Sequence, residues 1–188
     1  ERDTALRVRY HLPEGKRRIL SVGGIEPRKN TRLLLEAFSE LCQEQADLHL
    51  VVAGGASLLD HSAYRAAFDR QLHESGLTTQ VSITGPVADE DMPALYRQAA
   101  VLAYPSQMEG FGLCPLEALA CGTPVIVPRA APFTEHLSAA DALWCDPAQP
   151  HSLLRSLRAA LSAENHAHFL TAGPITAQRF DWSAVARR

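Results

Sequence analysis

The chain has no excess of positive charge and almost no lysine. Its 188 residues carry 18 lysine and arginine side chains against 21 aspartate and glutamate side chains, and only Lys16 and Lys29 are lysines. A protein that binds nucleic acid or an anionic membrane surface through charge needs a basic face, which a formal net charge of −3 does not provide. We therefore expect no nucleic-acid partner.

Cysteine is sparse and shows no pattern of metal binding or disulfide formation. The four cysteines, at positions 42, 114, 121 and 145, form no pair with the two-residue spacing of zinc sites. Cys114 and Cys121 would lie about 10 Å apart along a helix axis, which is too far for a disulfide. We expect reduced thiols in a cytoplasmic protein.

Long hydrophobic runs are also missing. No apolar stretch approaches the ~20 residues that a membrane-spanning helix requires, and we expect no signal peptide. Hydrophobic residues nevertheless make up 46% of the chain, and its length suits one large domain with a single well-buried core.

Short apolar runs alternate with amphipathic stretches along most of the chain. After the first run, at 19–22, we expect Asn30 to cap a helix that places Leu34, Phe38 and Leu41 on one face. Strands that alternate with helices form right-handed βαβ units and a parallel sheet covered on both faces. We therefore predict an α/β fold, a Rossmann-like parallel sheet of about six strands with helices on both faces. The further strands are expected at 48–53, 81–84, 101–104, 125–127 and 142–144.

The most informative stretch runs from residue 103 to 128. It joins a strand end to a glycine loop and then to a helix that carries Glu117, with Glu109 in the loop and seven residues between the two carboxylates. A glycine loop between strand and helix is how α/β proteins hold a phosphate at a helix N-terminus. Two added carboxylates suit a ligand with an anionic part and a hydroxyl-rich part. Because its neighbours are apolar, we expect Glu117 to be partly buried.

Other glycine loops follow the predicted strands at 23–24, 54–55 and 85. Ligands of parallel sheets bind at the carboxyl ends of the strands, so these loops should converge on one crevice. Arg28 and Lys29 follow the first loop, where cations suit a diphosphate; a solvated pair of surface charges is the alternative. The acidic residues 89–91 are expected to cap and charge a helix N-terminus, and His136 to have a surface or capping role. We predict no metal site.

Three segments in this order resemble the C-terminal domain of the retaining glycosyltransferases of the two-Rossmann-domain (GT-B) type, family 4, also called glycosyl transferases group 1. They are V-G-G-I-E-P-R-K-N at 22–30, E-G-F-G-L-C-P-L-E-A-L-A-C-G-T-P-V at 109–125, and D-A-L-W-C-D-P at 141–147. The second contains the family's two glutamates separated by seven residues, which is its specific motif. The resemblance extends from residue 19 to the Phe-Asp-Trp sequence at 180–182.

The resemblance implies roles for the matching residues. Glu117 would accept hydrogen bonds from the ribose hydroxyls of a nucleotide, and Glu109 would contact the transferred sugar. The N–H groups of Leu113 and Cys114 would receive the distal phosphate. The loop backbone that also contacts the sugar comprises Gly110, Phe111, Gly112 and Leu113.

The resemblance also implies which residues contact the diphosphate and the base. Lys29 occupies the family's diphosphate lysine position. Gly24 stands where many members carry an arginine that also binds the diphosphate, and Arg28 would substitute for that arginine from a different angle. The base would lie between the loops at 54–55 and 85–87. Further donor-binding candidates on the nucleotide side are Val87, packed on the base, and Glu135.

The resemblance also implies a division of the chain. The polar composition of residues 1–18, with Pro13 and Gly15, by itself predicts a linker or entry loop, and Gly173 and Pro174 predict a break in the last helical segment. The resemblance makes 19–174 the nucleotide-sugar donor-binding domain. Residues 175–188 would be a tail that crosses to an N-terminal Rossmann-like domain absent from the chain. We expect the chain to be a piece of a longer, cytoplasmic protein that reaches the inner face of the membrane through the absent domain.

The function implied is the donor-binding half of a transferase. It would move a sugar from a nucleotide-diphosphate sugar, with UDP or GDP as carrier, to a hydroxyl of a saccharide or lipid-linked acceptor, with retention of configuration and without metal or cofactor. Glu109, Lys29 and Arg28 are the catalytic candidates, because fixed cations stabilise the charge that develops on a departing diphosphate. The chain alone should bind donor weakly and transfer nothing. A non-catalytic nucleotide-binding module and a sugar-nucleotide epimerase remain alternatives.

Overall fold

The computed structural model of the chain describes residues 2–55 and 59–180. The strands are β1 Arg17–Val22, β2 Leu48–Ala53, β3 Val81–Gly85, β4 Ala99–Ala103, β5 Val125–Pro128 and β6 Leu143–Cys145. These six parallel strands form one sheet in the spatial order β3-β2-β1-β4-β5-β6. This confirms the predicted α/β, Rossmann-like parallel sheet.

Helices cover both faces of the sheet because successive strand residues point to opposite sides. The α-helices are α1 Arg2–Arg9, α2 Thr31–Glu44, α3 Ser62–Glu74, α4 Met92–Arg97, α5 Leu113–Ala120, α6 Phe133–His136, α7 Pro150–Ala160 and α8 Ala163–Gln178. A short 3-10 helix, Pro27–Lys29, precedes α2. One core contains Leu20 and Val51 with buried side chains of α1, α4, α5 and α8, and the other contains Ile19 and Leu50 with those of α2, α3 and α7.

The expectation of a loop at residues 1–18 is wrong, because α1 and the start of β1 lie there. Leu6 and Tyr10, one helical turn apart, are buried in the core beside α4. Apolar residues at this spacing give a short helix enough buried surface to hold it in place.

The expected break at Gly173 and Pro174 is also wrong, because α8 runs through both residues. A Cβ at Gly173 would lie 2.7 Å from the carbonyl oxygen of Leu119, so glycine lets α8 approach α5 closely. This packing outweighs the local penalty of a proline inside a helix. Residues 181–188 of the expected tail lie outside the described residues.

Two side chains that were expected to cap helices form hydrogen bonds with other segments instead. Asn30 stands at the start of α2 without a side-chain cap, and its Nδ2 instead donates to the carbonyl oxygens of Pro105, at 3.3 Å, and Pro147, at 2.7 Å. Asp91 precedes α4 and accepts from Arg9 at 2.6 Å and from Tyr10 at 2.8 Å. These side chains therefore join separate segments. None of the described helices has the length and apolar character of a membrane span.

Candidate functional site

The strand order reverses between β1 and β4, and this is where open α/β sheets bind ligands. The loops that follow these two strands are hydrogen-bonded to each other. The carbonyl oxygen of Arg28 accepts from the N–H of Gln107 at 2.8 Å. The cations of the first loop therefore lie against the acidic loop that begins the 109–125 segment.

Lys29 is buried at this junction, with 7% of its side chain exposed. Its ammonium group donates to the hydroxyl of Tyr104 and, at 2.8 Å, to Oε1 of Glu109. A side chain at position 23 would collide with the methylenes of Lys29. The first glycine loop thus leaves the space that the lysine occupies.

Glu109 is the common acceptor of the junction. Its Oε1 accepts from Lys29, from Arg28 at 2.8 Å and from the hydroxyl of Ser106 at 2.6 Å, and only 10% of its side chain is exposed. Burial alone would raise the pKa of Glu109, but the hydrogen bonds from Lys29 and Ser106 bring it below its ordinary value. The group is therefore a carboxylate at neutral pH.

Arg28 is more exposed and lies between two carboxylates. Its Nη1 binds Glu109, and its Nη2 donates to Oε1 of the buried Glu26 at 3.0 Å. Gly24 has φ +78°, and a Cβ there would lie 2.5 Å from the carbonyl oxygen of Gly55. This backbone has no room for a side chain at position 24, whereas Arg28 brings a guanidinium to the same junction. Sequence reasoning assigned no role to Glu26, although it lies within the 22–30 segment.

The first turn of α5 faces the same crevice. The N–H groups of Leu113 and Cys114, as the first two of the helix, have no partner within it. Gly112 precedes them with φ +84°, a conformation that suits glycine. Leu113 is exposed and Cys114 half-buried, and burial raises the pKa of the Cys114 thiol.

The loop before α5 carries an aromatic contact that the sequence did not predict. The ring of Phe111, which is 48% exposed, stacks on that of His136 in α6 with centroids 5.2 Å apart. Burial lowers the pKa of His136, and its Nε2 has no hydrogen-bond partner among the described residues. His136 is the last residue of α6 and is half-buried, so the contact with Phe111 adds to the surface or capping role expected for it. Gly110 and Glu135 are both exposed.

Glu117 is exposed, contrary to the expectation of partial burial. Its neighbours Leu116, Ala118 and Leu119 point into the core, and position 117 lies on the opposite side of α5. Its Oε2 accepts a hydrogen bond of 2.8 Å from the hydroxyl of the buried Tyr96.

A cleft of about 340 Å³ joins several of these features, a volume within the range of small-molecule sites. It brings the predicted residues Val87, Cys114 and Glu117 together, and Gly23, which lines it, packs against Lys29. Glu135 is not among the described residues that line it. Lining residues that sequence reasoning did not assign to the site include Val22, Asp89, Met92 and Tyr96.

The crevice offers two kinds of chemistry side by side. Two cations and the N–H groups at the start of α5 suit an anion such as a diphosphate. The carboxylates Glu109 and Glu117 accept hydrogen bonds, which suits hydroxyl groups. No group of three or more histidine, cysteine, aspartate or glutamate side chains in the described ranges, 2–55 and 59–180, could hold a metal ion.

The fold matches that of two solved structures. The chain superposes on Anabaena Alr3699/HepE, crystallised with UDP and glucose, with a TM-score of 0.86 at 21% identity, covering 99% of this chain and 50% of that one. It superposes on the C-terminal domain of a glycosyl transferase group 1 family protein, LpcC from Francisella tularensis, with a TM-score of 0.78 at 22% identity, covering 92% and 90% of the two chains.

A curated relative is closer in sequence. The serotype-specific mannosyltransferase WbdA of Escherichia coli is 32% identical over 191 residues, which is 99% of this chain but 22% of the relative. The chain thus spans about a fifth of the length of that protein. The family model described as Glycosyl transferases group 1 matches residues 3–172. The chain belongs to the glycosyl transferases group 1 family.

Proposed function

We propose that the chain is the donor-binding half of a glycosyltransferase. It holds a nucleotide-diphosphate sugar while the sugar passes to a hydroxyl of a saccharide or lipid-linked acceptor, with retention of configuration at the sugar carbon and without a metal ion. The observation that carries this proposal is the meeting of Lys29, Arg28 and Glu109 beside the first turn of α5.

The proposed roles follow from the charges. When the bond between sugar and phosphate breaks, negative charge grows on the departing diphosphate. Lys29, Arg28 and the N–H groups of Leu113 and Cys114 are fixed donors that stabilise this charge more in the transition state than in the ground state. Glu109 orients the sugar. These groups supply the positive charge for which other transferases use a metal ion.

The remaining donor contacts lie in the cleft. The base packs near Val87 and the loops at 54–55 and 85–87, and the ribose hydroxyls bind Glu117. UDP or GDP is the proposed carrier: the relative from E. coli is a mannosyltransferase, and the Anabaena structure contains UDP. Arg28 replaces the arginine that Gly24 has no room for.

We propose that an N-terminal Rossmann-like domain of the same protein completes the site and supplies most acceptor contacts. Support comes from the share of WbdA and HepE that the chain covers, and from its match to an isolated C-terminal domain. In this division residues 19–174 hold the donor, 1–18 lead into the domain and 175–188 cross to its partner. The four free cysteines fit a reducing cytoplasm, with the partner domain at the membrane.

Calorimetry of the chain with UDP, GDP and ADP tests the proposal. We expect weak binding of at least one of the three, and no sugar transfer by the chain alone. No heat from any of them at millimolar concentration would remove the basis for a donor-binding role. In the full-length protein, conversion of a nucleotide sugar without any acceptor would instead favour an epimerase. Binding without turnover across a donor and acceptor panel would favour a non-catalytic module.

A further inference from the structure

We infer that Tyr96 is a positioning residue that fixes the carboxylate of Glu117 for a ribose diol, and thereby selects ribonucleoside over 2′-deoxyribonucleoside diphosphates. The inference rests on the proposed function, because it concerns how the same site reads the sugar of its nucleotide. It begins from the hydrogen bond of 2.8 Å between the Tyr96 hydroxyl and Oε2 of Glu117.

The hydroxyl of Tyr96 reaches a cleft although its side chain is buried in the core. The side chain is 1% exposed and belongs to the core between α4 and the sheet, yet it lines the same cleft as Val87 and Glu117. Only the end of the ring therefore reaches the cleft. Burial raises the pKa of Tyr96, so the hydroxyl stays protonated and acts as a donor.

Glu117 needs such a donor because it is exposed. A free glutamate on a helix surface samples several rotamers, and fixing it in one of them costs side-chain entropy. A hydrogen bond from a rigid, buried tyrosine restricts this freedom before the ligand arrives. Pre-organisation of this kind reduces the free-energy cost of binding.

Tyr96 is itself held in place by the end of the α5 segment. The hydroxyl of Thr123, which is 2% exposed, donates to the carbonyl oxygen of Tyr96 at 2.8 Å. Thr123 follows α5, the helix that carries Glu117. The segment that carries Glu117 thus contacts Tyr96 twice, once at its backbone carbonyl and once at its hydroxyl.

The arrangement leaves three lone pairs of the Glu117 carboxylate able to accept hydrogen bonds, enough for two hydroxyl groups. Oε2 uses one lone pair for Tyr96 and keeps another, and Oε1 keeps both. Adjacent hydroxyls on one face of a ribose match two neighbouring acceptors. A 2′-deoxyribose lacks one of these donors, so a fixed carboxylate distinguishes the two sugars better than a mobile one.

The experiment compares affinities for UDP and 2′-deoxy-UDP, and for GDP and 2′-deoxy-GDP, by calorimetry of the 188-residue chain. In Tyr96→Phe we expect the ribose preference of the wild type to fall by roughly three- to tenfold. Tyr64→Phe is the matched control, because its hydroxyl accepts from the N–H of Arg32 and lies outside the cleft lining. In a Glu117→Ala background, Tyr96→Phe should change the ratio no further.

The outcomes separate the inference from the proposed function. A wild-type chain that binds no nucleotide overturns both. A wild type that binds without a ribose preference, or a Tyr96→Phe variant that keeps the full preference, overturns the inference alone. Because Glu117 is exposed and water can replace the hydroxyl, Tyr96→Phe should fold with an unchanged circular dichroism spectrum. A variant that fails to fold would make the hydroxyl part of the core and contradict the inference.

Discussion

At the scale of single residues, Glu109 is the counter-ion of both cations in the crevice. One carboxylate oxygen binds Lys29 and Arg28, the groups that we propose to receive a diphosphate. An incoming diphosphate must therefore compete with an internal carboxylate for the same donors. The same competition leaves Glu109 free for the sugar once the diphosphate is in place.

Removal of this charge should strengthen the binding of a nucleoside diphosphate that carries no sugar. We expect Glu109→Gln to raise the affinity for UDP or GDP by about threefold or more, because a like charge near the diphosphate is lost. Sugar transfer by the full-length protein should fall. Calorimetry measures the first effect, with Glu36→Gln on the exposed side of α2 as the control. Unchanged or weaker nucleotide binding would show that Glu109 does not compete.

We expect Lys29 to contribute to the binding of the phosphates and not to that of the nucleoside. We expect Lys29→Met to weaken the binding of UDP or GDP by about 1.5–3 kcal/mol, the contribution of a hydrogen bond to a charged group. The affinity for uridine or guanosine, which carry no phosphate, should stay the same. The matched control is Lys16→Met, because Lys16 is the other lysine of the chain. An equal loss for nucleosides would mean that Lys29 supports the cleft rather than the phosphates.

The sequence predicts which residues meet at this junction, but not how each is held. A motif places Glu109 and Lys29 at the same sheet edge because strand ends share that edge. It cannot show that Tyr96 holds Glu117 or that Glu26 holds Arg28, because these contacts depend on the packing of α4 and on the loop path. The wrong expectation for Glu117 has the same origin, because apolar neighbours in sequence do not show which face of a helix is buried.

At the scale of elements, the start of α5 depends on one glycine. Gly112 has φ +84°, and a Cβ there would collide with the ring of Phe133. We expect Gly112→Ala to lower the free energy of unfolding by about 2–4 kcal/mol, from backbone strain and overpacking together. Urea denaturation checks this. Gly110→Ala is the control, because a Cβ at position 110 meets nothing within 4 Å. Equal stability of the two variants would contradict the account.

Asp141, in the loop after α6, accepts hydrogen bonds from residues at the end of α8. Burial alone would raise the pKa of Asp141, but hydrogen bonds from Thr176, Ser138 and Arg179 lower it to about 2. A group whose pKa is lower in the folded state stabilises the fold at pH values above the pKa that it has in the unfolded chain. This contribution is lost as the pH falls through the lower, folded-state pKa.

We therefore expect Asp141→Asn to reduce the free energy of unfolding by about 2 kcal/mol at neutral pH. The difference from the wild type should shrink between about pH 4 and pH 2. Denaturant titrations across that range measure it, and taking the difference between the two proteins removes the effect of other carboxylates. A difference that is independent of pH would contradict this role.

The strands were easier to predict than the helix ends. Buried parallel strands are continuous apolar runs, so each of the six expected segments overlaps a strand. The first helix and the passage of α8 through Pro174 were missed because local signals favoured loops there. Contacts with α4 and α5, which are distant in sequence, decide both cases.

At the scale of the whole molecule, the reversal of strand order between β1 and β4 creates the site. It brings the loop with Arg28 and Lys29 against the loop with Glu109, while α5 contributes N–H groups and Glu117. In the proposed function, the cations and N–H groups would bind the diphosphate, and the carboxylates beside them would bind hydroxyl groups. This adjacency is what a nucleotide sugar requires.

The most direct test of this account is a crystal structure of the chain grown with UDP or GDP. The account predicts the diphosphate against Lys29 and the N–H groups of Leu113 and Cys114, with the ribose hydroxyls on Glu117 and the base beside Val87. A nucleotide that binds elsewhere on the protein, or one whose phosphates point away from Lys29 and the start of α5, would contradict it.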